Sequence, residues 1–137
     1  MMNFDIKNYK AIEQLYIHDS KILNISFDYY NYQLSIQMKN DFLKRHFSFD
    51  FLNVLYFDAN CAEYWGRGGN ILDIELIQML DLEQIWKKLI EYNKTKQFNR
   101  ERLDKNRYIA VSFVVNSGNQ INIIAEKMSF EDTPIEE

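Results

Sequence analysis

Two stretches of this chain alternate apolar and polar residues with a period of two. In 33–39, Leu34, Ile36 and Met38 alternate with Gln33, Ser35, Gln37 and Lys39; in 21–28, Leu23, Ile25 and Phe27 alternate with Asn24, Ser26 and Asp28. Successive side chains of a strand point to opposite faces, so both runs read as half-buried strands. The intervening Tyr29-Tyr30-Asn31-Tyr32 is short enough to close a hairpin, with Asn31 best suited to a left-handed turn position. A third alternation sets Phe47, Phe49 and Phe51 against His46, Ser48 and Asp50, then slips near Leu52-Asn53 before Val54 to Phe57. That slip predicts a bulge or corner.

Further along, Leu72, Ile74 and Leu76 alternate with Asp73 and Glu75, a short run that reads as a strand and is also compatible with a helix. One strong helical pattern covers about 81–93. Asp81 is placed as an N-cap with Gln84 three residues on, and Leu82, Ile85, Trp86, Leu89 and Ile90 form a stripe opposite Lys87, Lys88 and Glu91. Tyr108 to Val115 and Ile121 to Met128 form a second hairpin around Gly118, and the near-continuous apolar run at 109–115 predicts a strand covered on both faces. The acidic segment 129–137, with Pro134, reads as a frayed tail. In the first twenty residues, Tyr9, Ile12 and Tyr16 fit a short helix and Leu15 and Ile17 fit an extended lead-in. These patterns together predict an α+β fold: an antiparallel sheet of about six strands with one main helix on one face, in a single domain over 1–128.

A chain of 137 residues, 47% of them hydrophobic and only one a proline, can bury a core without staples. Cys61 is the lone cysteine, the first ten residues mix charges with apolar residues, and no window approaches the length of a membrane span. The expected setting is cytoplasmic and reducing, without membrane association. A net charge of -4 disfavours nucleic acid as a whole-surface partner. Lys94 to Arg107 is a local exception, a basic run that reads first as a solvated face and second as an RNA-binding segment with Phe98 as a stacking residue.

His18 and His46 are the side chains whose ordinary titration lies near neutrality. Adjacent extended residues diverge, so His18-Asp19-Ser20 is not itself a catalytic triad and reads as a structural turn in which Asp19 and Ser20 bond nearby backbone N–H groups. No Cys-x-x-Cys, His-x-x-x-His or calcium-loop pattern is present, and neither phosphate-binding glycine motif occurs. The expectation is therefore no metal and no cofactor, with Cys61 an inert buried residue. An enzymatic alternative, a small hydrolase or transferase, would assemble His18 or His46 with Asp19, Asp50 or Glu63 from separate strands.

Gly66, Gly68 and Gly69, three of four glycines in the chain, follow Tyr64 and Trp65 and flank Arg67. Aromatic and arginine side chains are enriched at interface hot spots, which makes Tyr64, Trp65 and Arg67 partner-binding candidates; Trp65 as a core anchor beside a wide turn is the structural counter-reading. Tyr29, Tyr30 and Tyr32 at the hairpin tip are a second aromatic candidate. The run Leu15-x-x-His18-Asp19-Ser20-x-Ile22, then Ile25-x-Phe27, Leu34-x-Ile36, Phe47-x-Phe49 and Trp65-Gly66, resembles small bacterial proteins associated with toxin and immunity gene pairs. The resemblance covers the first half of the chain and implies a cytoplasmic, non-enzymatic protein that binds a protein partner, as an immunity protein binds its toxin. The acidic balance suits a basic toxin such as a nuclease, and self-association is compatible with the same surface chemistry.

Overall fold

In the computed structural model, which describes residues 1–59, 70–76, 79–96, 105–115 and 120–135, the alternating runs become one antiparallel sheet. Its strands are β1 (Met2–Phe4), β2 (Ser20–Asp28), β3 (Gln33–Asn40), β4 (Arg45–Ala59), β5 (Asn70–Leu76), β6 (Ile109–Val115) and β7 (Gln120–Pro134). They are ordered β1-β7-β4-β3-β2-β5-β6, and β6 pairs again with β7. The ladder from β4 through β3, β2, β5 and β6 to β7 thus returns to β4, a six-stranded circuit to which the short β1 adds beside the later part of β7. Closure removes most of the unpaired edges of an open sheet. The narrowest seam joins β2 to β5, where Ser20 faces Ile71 and Lys21 faces Asn70.

The enclosed face carries the core. Leu34, Ile36 and Met38 of β3, Phe47, Phe49 and Phe51 of β4, Val111 and Phe113 of β6, and Ile121 and Ile123 of β7 are all buried in one cluster. The Phe49 ring meets Phe113 edge-on at 5.1 Å and Phe130 at 5.0 Å. Burying one such side chain contributes about 1.5–3 kcal/mol, and its neighbours make its loss costlier than that, because a cavity remains.

The chain is mainly β. The expected α+β class gives too much weight to a small helical part, because closure, not a covering helix, buries most apolar positions. The helix α1 (Met79–Lys96) starts two residues before Asp81, so Asp81 falls inside it and is not the flanking N-cap residue. Trp86 is buried with Tyr108 and Ile124 on the outer side of the sheet, against Leu55, Tyr56 and Ala110. Ile90, placed in the apolar stripe by its spacing, is 42% exposed. The stripe that meets the sheet is narrower than the sequence pattern.

Bulges account for two further differences. Ile22 faces Met38 and Asn24 faces Gln37, so Leu23 is an extra residue, 51% exposed, and does not share the inward face with Ile25 and Phe27. In β4 the corner read near Leu52-Asn53 is built from Asn53 at φ 53° and a register skip between Val54 and Tyr56. The segment expected to fray instead continues β7 through Pro134. There Phe130 is buried opposite Phe49, Arg45 Nε donates to Asp132 Oδ1 at 2.5 Å, and Ile135 N–H donates to the Lys44 carbonyl at 3.0 Å. At the other terminus a short 3-10 helix, Tyr9–Gln14, buries Ile12, while Leu15 and Ile17 anchor the lead-in to β2.

Candidate binding surface

The β2–β3 hairpin tip is the most exposed cluster of large aromatic residues among those described. Tyr29 is 81% exposed, Tyr30 91% and Tyr32 47%. Exposed aromatic side chains at a loop tip are ordinarily costly to hold in one place, because nothing packs around them. Here the backbone beneath them is tied down. The Asp28 carboxylate accepts hydrogen bonds from the N–H groups of Tyr30 at 2.9 Å and Asn31 at 3.1 Å, and from Asn31 Nδ2 at 2.8 Å. The Asn31 side chain, followed by these backbone donors, lowers the Asp28 pKa below its ordinary value, so the charged form that organises the turn is the favoured one.

Because Asn31 is held by Asp28, the left-handed position falls to Tyr32 at φ 52°, not to Asn31 as the residue type predicts. The Tyr32 carbonyl accepts from the Val54 N–H at 2.7 Å, which fixes the exit of the tip to the β4 corner. From the inside, Phe27 meets the Tyr29 ring edge-on at 4.7 Å and stacks with Phe57 at 6.0 Å. Beside Phe57 on the opposite face of β4, Tyr56 O–H donates to Asp58 Oδ2 at 2.8 Å; burial and then this bond push the Tyr56 pKa up to about 12. The corner is clamped by Asn53 Nδ2, which donates to Glu126 Oε2 at 2.6 Å, and by Arg107 Nη2, which donates to the same oxygen at 3.2 Å. The Asn53 bond, with Arg107 adding to it, holds Glu126 below the ordinary carboxylate range. The tip is a braced platform that presents tyrosine rings and hydroxyls, an arrangement suited to binding a surface.

Tyr64, Trp65 and Arg67 lie outside the described residues, as do Cys61 and Glu63. His18-Asp19-Ser20 is a turn: Ser20 N–H donates to the Ile17 carbonyl at 3.1 Å, and Asp19 takes φ 65°. Its polar bonds differ from those expected. Ser20 Oγ accepts from Asn40 Nδ2 at 3.2 Å inside the protein, and Asp19 contacts the neighbouring His18 at 3.5 Å. His46 and Asp50 both face outward on β4 but are four residues apart, about 13 Å along a strand, and Asp50 instead accepts from Ser35 Oγ at 2.5 Å. Of the described members of the enzymatic alternative, His18 and Asp19 are thus in contact with each other, while Asp50 is set apart from His46 and bonded to Ser35. No group of three or more His, Cys, Asp or Glu residues is placed to hold a metal among the described residues. Of the basic run at 94–107, Phe98 lies outside the described residues, and Arg107 is engaged with Glu126 and the Tyr108 ring.

No helix among the described residues is long and apolar enough to cross a membrane. No protein-family model matches the chain, and no curated protein matches it. A crystal structure of an uncharacterized protein from Neisseria gonorrhoeae is similar to it, with a TM-score of 0.50 and 14% sequence identity over 96% of this chain and 98% of that one. At that identity the likeness is one of fold.

Proposed function

We propose that this chain is a non-enzymatic, cytoplasmic protein-binding module that works as an immunity protein, covering a functional surface of a cognate bacterial toxin. The observation that carries the reading is the braced tip: Tyr29 and Tyr30 are almost wholly exposed on a turn whose backbone is fixed by Asp28. Tyrosine buries a large area on binding at low entropic cost, and a pre-organised loop spends little of its binding energy on ordering. The motif resemblance around His18-Asp19-Ser20 supports the toxin-binding form of the reading. Tyr64, Trp65 and Arg67 are proposed as a second contact element, on the strength of their residue types.

The test is a calorimetric titration against the purified product of a toxin gene adjacent to this one, paired with an assay of that toxin's activity. The expected result is a stoichiometric complex that silences the toxin, weakened at least about tenfold by Tyr30→Ala with the melting temperature unchanged. The absence of a complex, or an affinity indifferent to Tyr30→Ala, contradicts the proposal.

A further inference from the structure

The strands that carry the tyrosine tip are unevenly charged along their length. Residues 22–38 and 46–59 contain Asp28, Asp50 and Asp58 and neither lysine nor arginine, whereas Lys21, Lys39, Lys44 and Arg45 stand at the opposite end of β2, β3 and β4. The two ends differ in how these charges are used. At the basic end Asp41 lies 3.6 Å from both Lys21 and Lys39, and Arg45 is paired with Asp132. Asp28 and Asp50 towards the tip, and Asp58 four residues beyond the Val54 contact with it, make hydrogen bonds with neutral donors only: Asp28 with its own turn, Asp50 with Ser35 and Asp58 with Tyr56. None of the three forms an ion pair with a described lysine or arginine; Lys127 of β7, opposite Leu52, is the basic residue that the register sets diagonal to Asp50.

We infer that the aromatic tip receives an arginine-bearing, cationic segment of a protein partner. The inference rests on the tip's being the binding surface and goes on to specify what that surface selects. A tyrosine face attracts a cation through its ring quadrupole, and guanidinium both stacks on such rings and pairs with carboxylates at fixed positions. Asp50 and Asp58 each have one carboxylate oxygen engaged by a hydroxyl, which orients the group while leaving acceptor capacity on the other oxygen. Phosphate-bearing occupants meet the opposite field: nucleic acid and anionic lipid are disfavoured by these carboxylates.

The inference is tested on the full chain by titration with a synthetic peptide of alternating arginine and glycine, roughly twelve residues long, beside a glutamate-glycine peptide, a thymidine oligonucleotide and phosphatidylglycerol vesicles. The arginine peptide is expected to bind saturably at low salt, to weaken at least about tenfold in Tyr30→Ala, and to weaken in Asp58→Asn, which preserves the Tyr56 bond but removes the charge. Raising sodium chloride from about 50 to about 300 mM should weaken it further, because exposed charges are screened over a shorter distance. Binding of the glutamate peptide, oligonucleotide or vesicles through Tyr30, or failure of the arginine peptide to bind, overturns the inference. The two readings fail differently. Toxin binding that is lost in Tyr30→Ala yet indifferent to salt and to Asp58→Asn removes the cationic partner and keeps the tip; toxin binding unchanged in Tyr30→Ala removes both.

Discussion

Asn40 Nδ2 donates to the carbonyl oxygen of His18 at 2.9 Å, tying the last residue of β3 to the turn that precedes β2. The same amide nitrogen reaches Ser20 Oγ, and the side-chain Oδ1 of Asn40 accepts from the Leu43 N–H at 2.8 Å. Asn40 and Ser20 are both buried, so the bond between them is shielded from water, while those to His18 and Leu43 are partly buried.

Replacing Asn40 with alanine removes the buried partner of Ser20 Oγ and two partly buried bonds that join the turns. The expected loss is about 2–3 kcal/mol in urea unfolding, with Asn40→Asp similarly destabilising because a carboxylate cannot donate. A loss below about 0.5 kcal/mol would show the clasp to be incidental.

Asp19 occupies the left-handed region at φ 65°, where a Cβ is unfavourable and glycine is not. Asp19→Gly is expected to leave the melting temperature nearly unchanged, whereas Asp19→Ala loses about 1 kcal/mol. Equal stability of the two variants would place the role of Asp19 in its side chain and not in its backbone.

The features legible in the amino-acid sequence are those set by short-range interactions. Leu34, Ile36 and Met38 declare an inward face because alternation is local, and the tyrosine tip is legible because two such runs flank it. Closure is not legible, since the pairing of β6 with β7 and of β2 with β5 is a choice among partners that alternation leaves undetermined. Leu23 is misplaced by an inserted residue that shifts the pleat, and the end of β7 is ordered by Arg45 and Phe49, remote in sequence. Tyr32 takes the left-handed position because Asp28 holds Asn31, a competition that residue propensity does not record. The buried role of Asn40 depends on a turn twenty residues earlier.

Ser112 Oγ on β6 and Tyr108 O–H just before it are buried without a hydrogen-bond partner among the described residues. Deleting an unsatisfied hydroxyl removes a desolvation cost and no bond, so Ser112→Ala should match the parent or exceed it by up to about 1 kcal/mol in thermal unfolding. A clear loss of stability would mean that the hydroxyl is satisfied.

Glu126 is held below the ordinary glutamate value of 4.5 by Asn53 and then Arg107. A depressed folded-state pKa contributes stability that is present above the unfolded value and is lost as pH falls through the folded one. Acid unfolding of Glu126→Gln should therefore show a shallower decline below about pH 4.5 than that of the parent. Tyr56 works in the other direction: its folded pKa, raised from 10.0 to about 12, contributes stability present below pH 10 that is lost as pH rises toward 12. Tyr56→Phe should flatten that alkaline decline, and an unchanged slope would contradict the assignment.

Two exposed aromatic residues at opposite ends of β3 distinguish a partner bound at the tyrosine tip from one bound elsewhere. Tyr30 and Phe42 are each 91% exposed, and the eight-residue strand between their turns places them roughly 26 Å apart. Tyr30→Ala and Phe42→Ala should both fold with unchanged melting temperatures. In titrations against the product of the adjacent toxin gene, Tyr30→Ala should weaken binding at least about tenfold and Phe42→Ala should leave it unchanged. Loss of affinity in Phe42→Ala with Tyr30→Ala indistinguishable from the parent would put the partner at the other end of β3 and rule out the tyrosine tip as its binding surface.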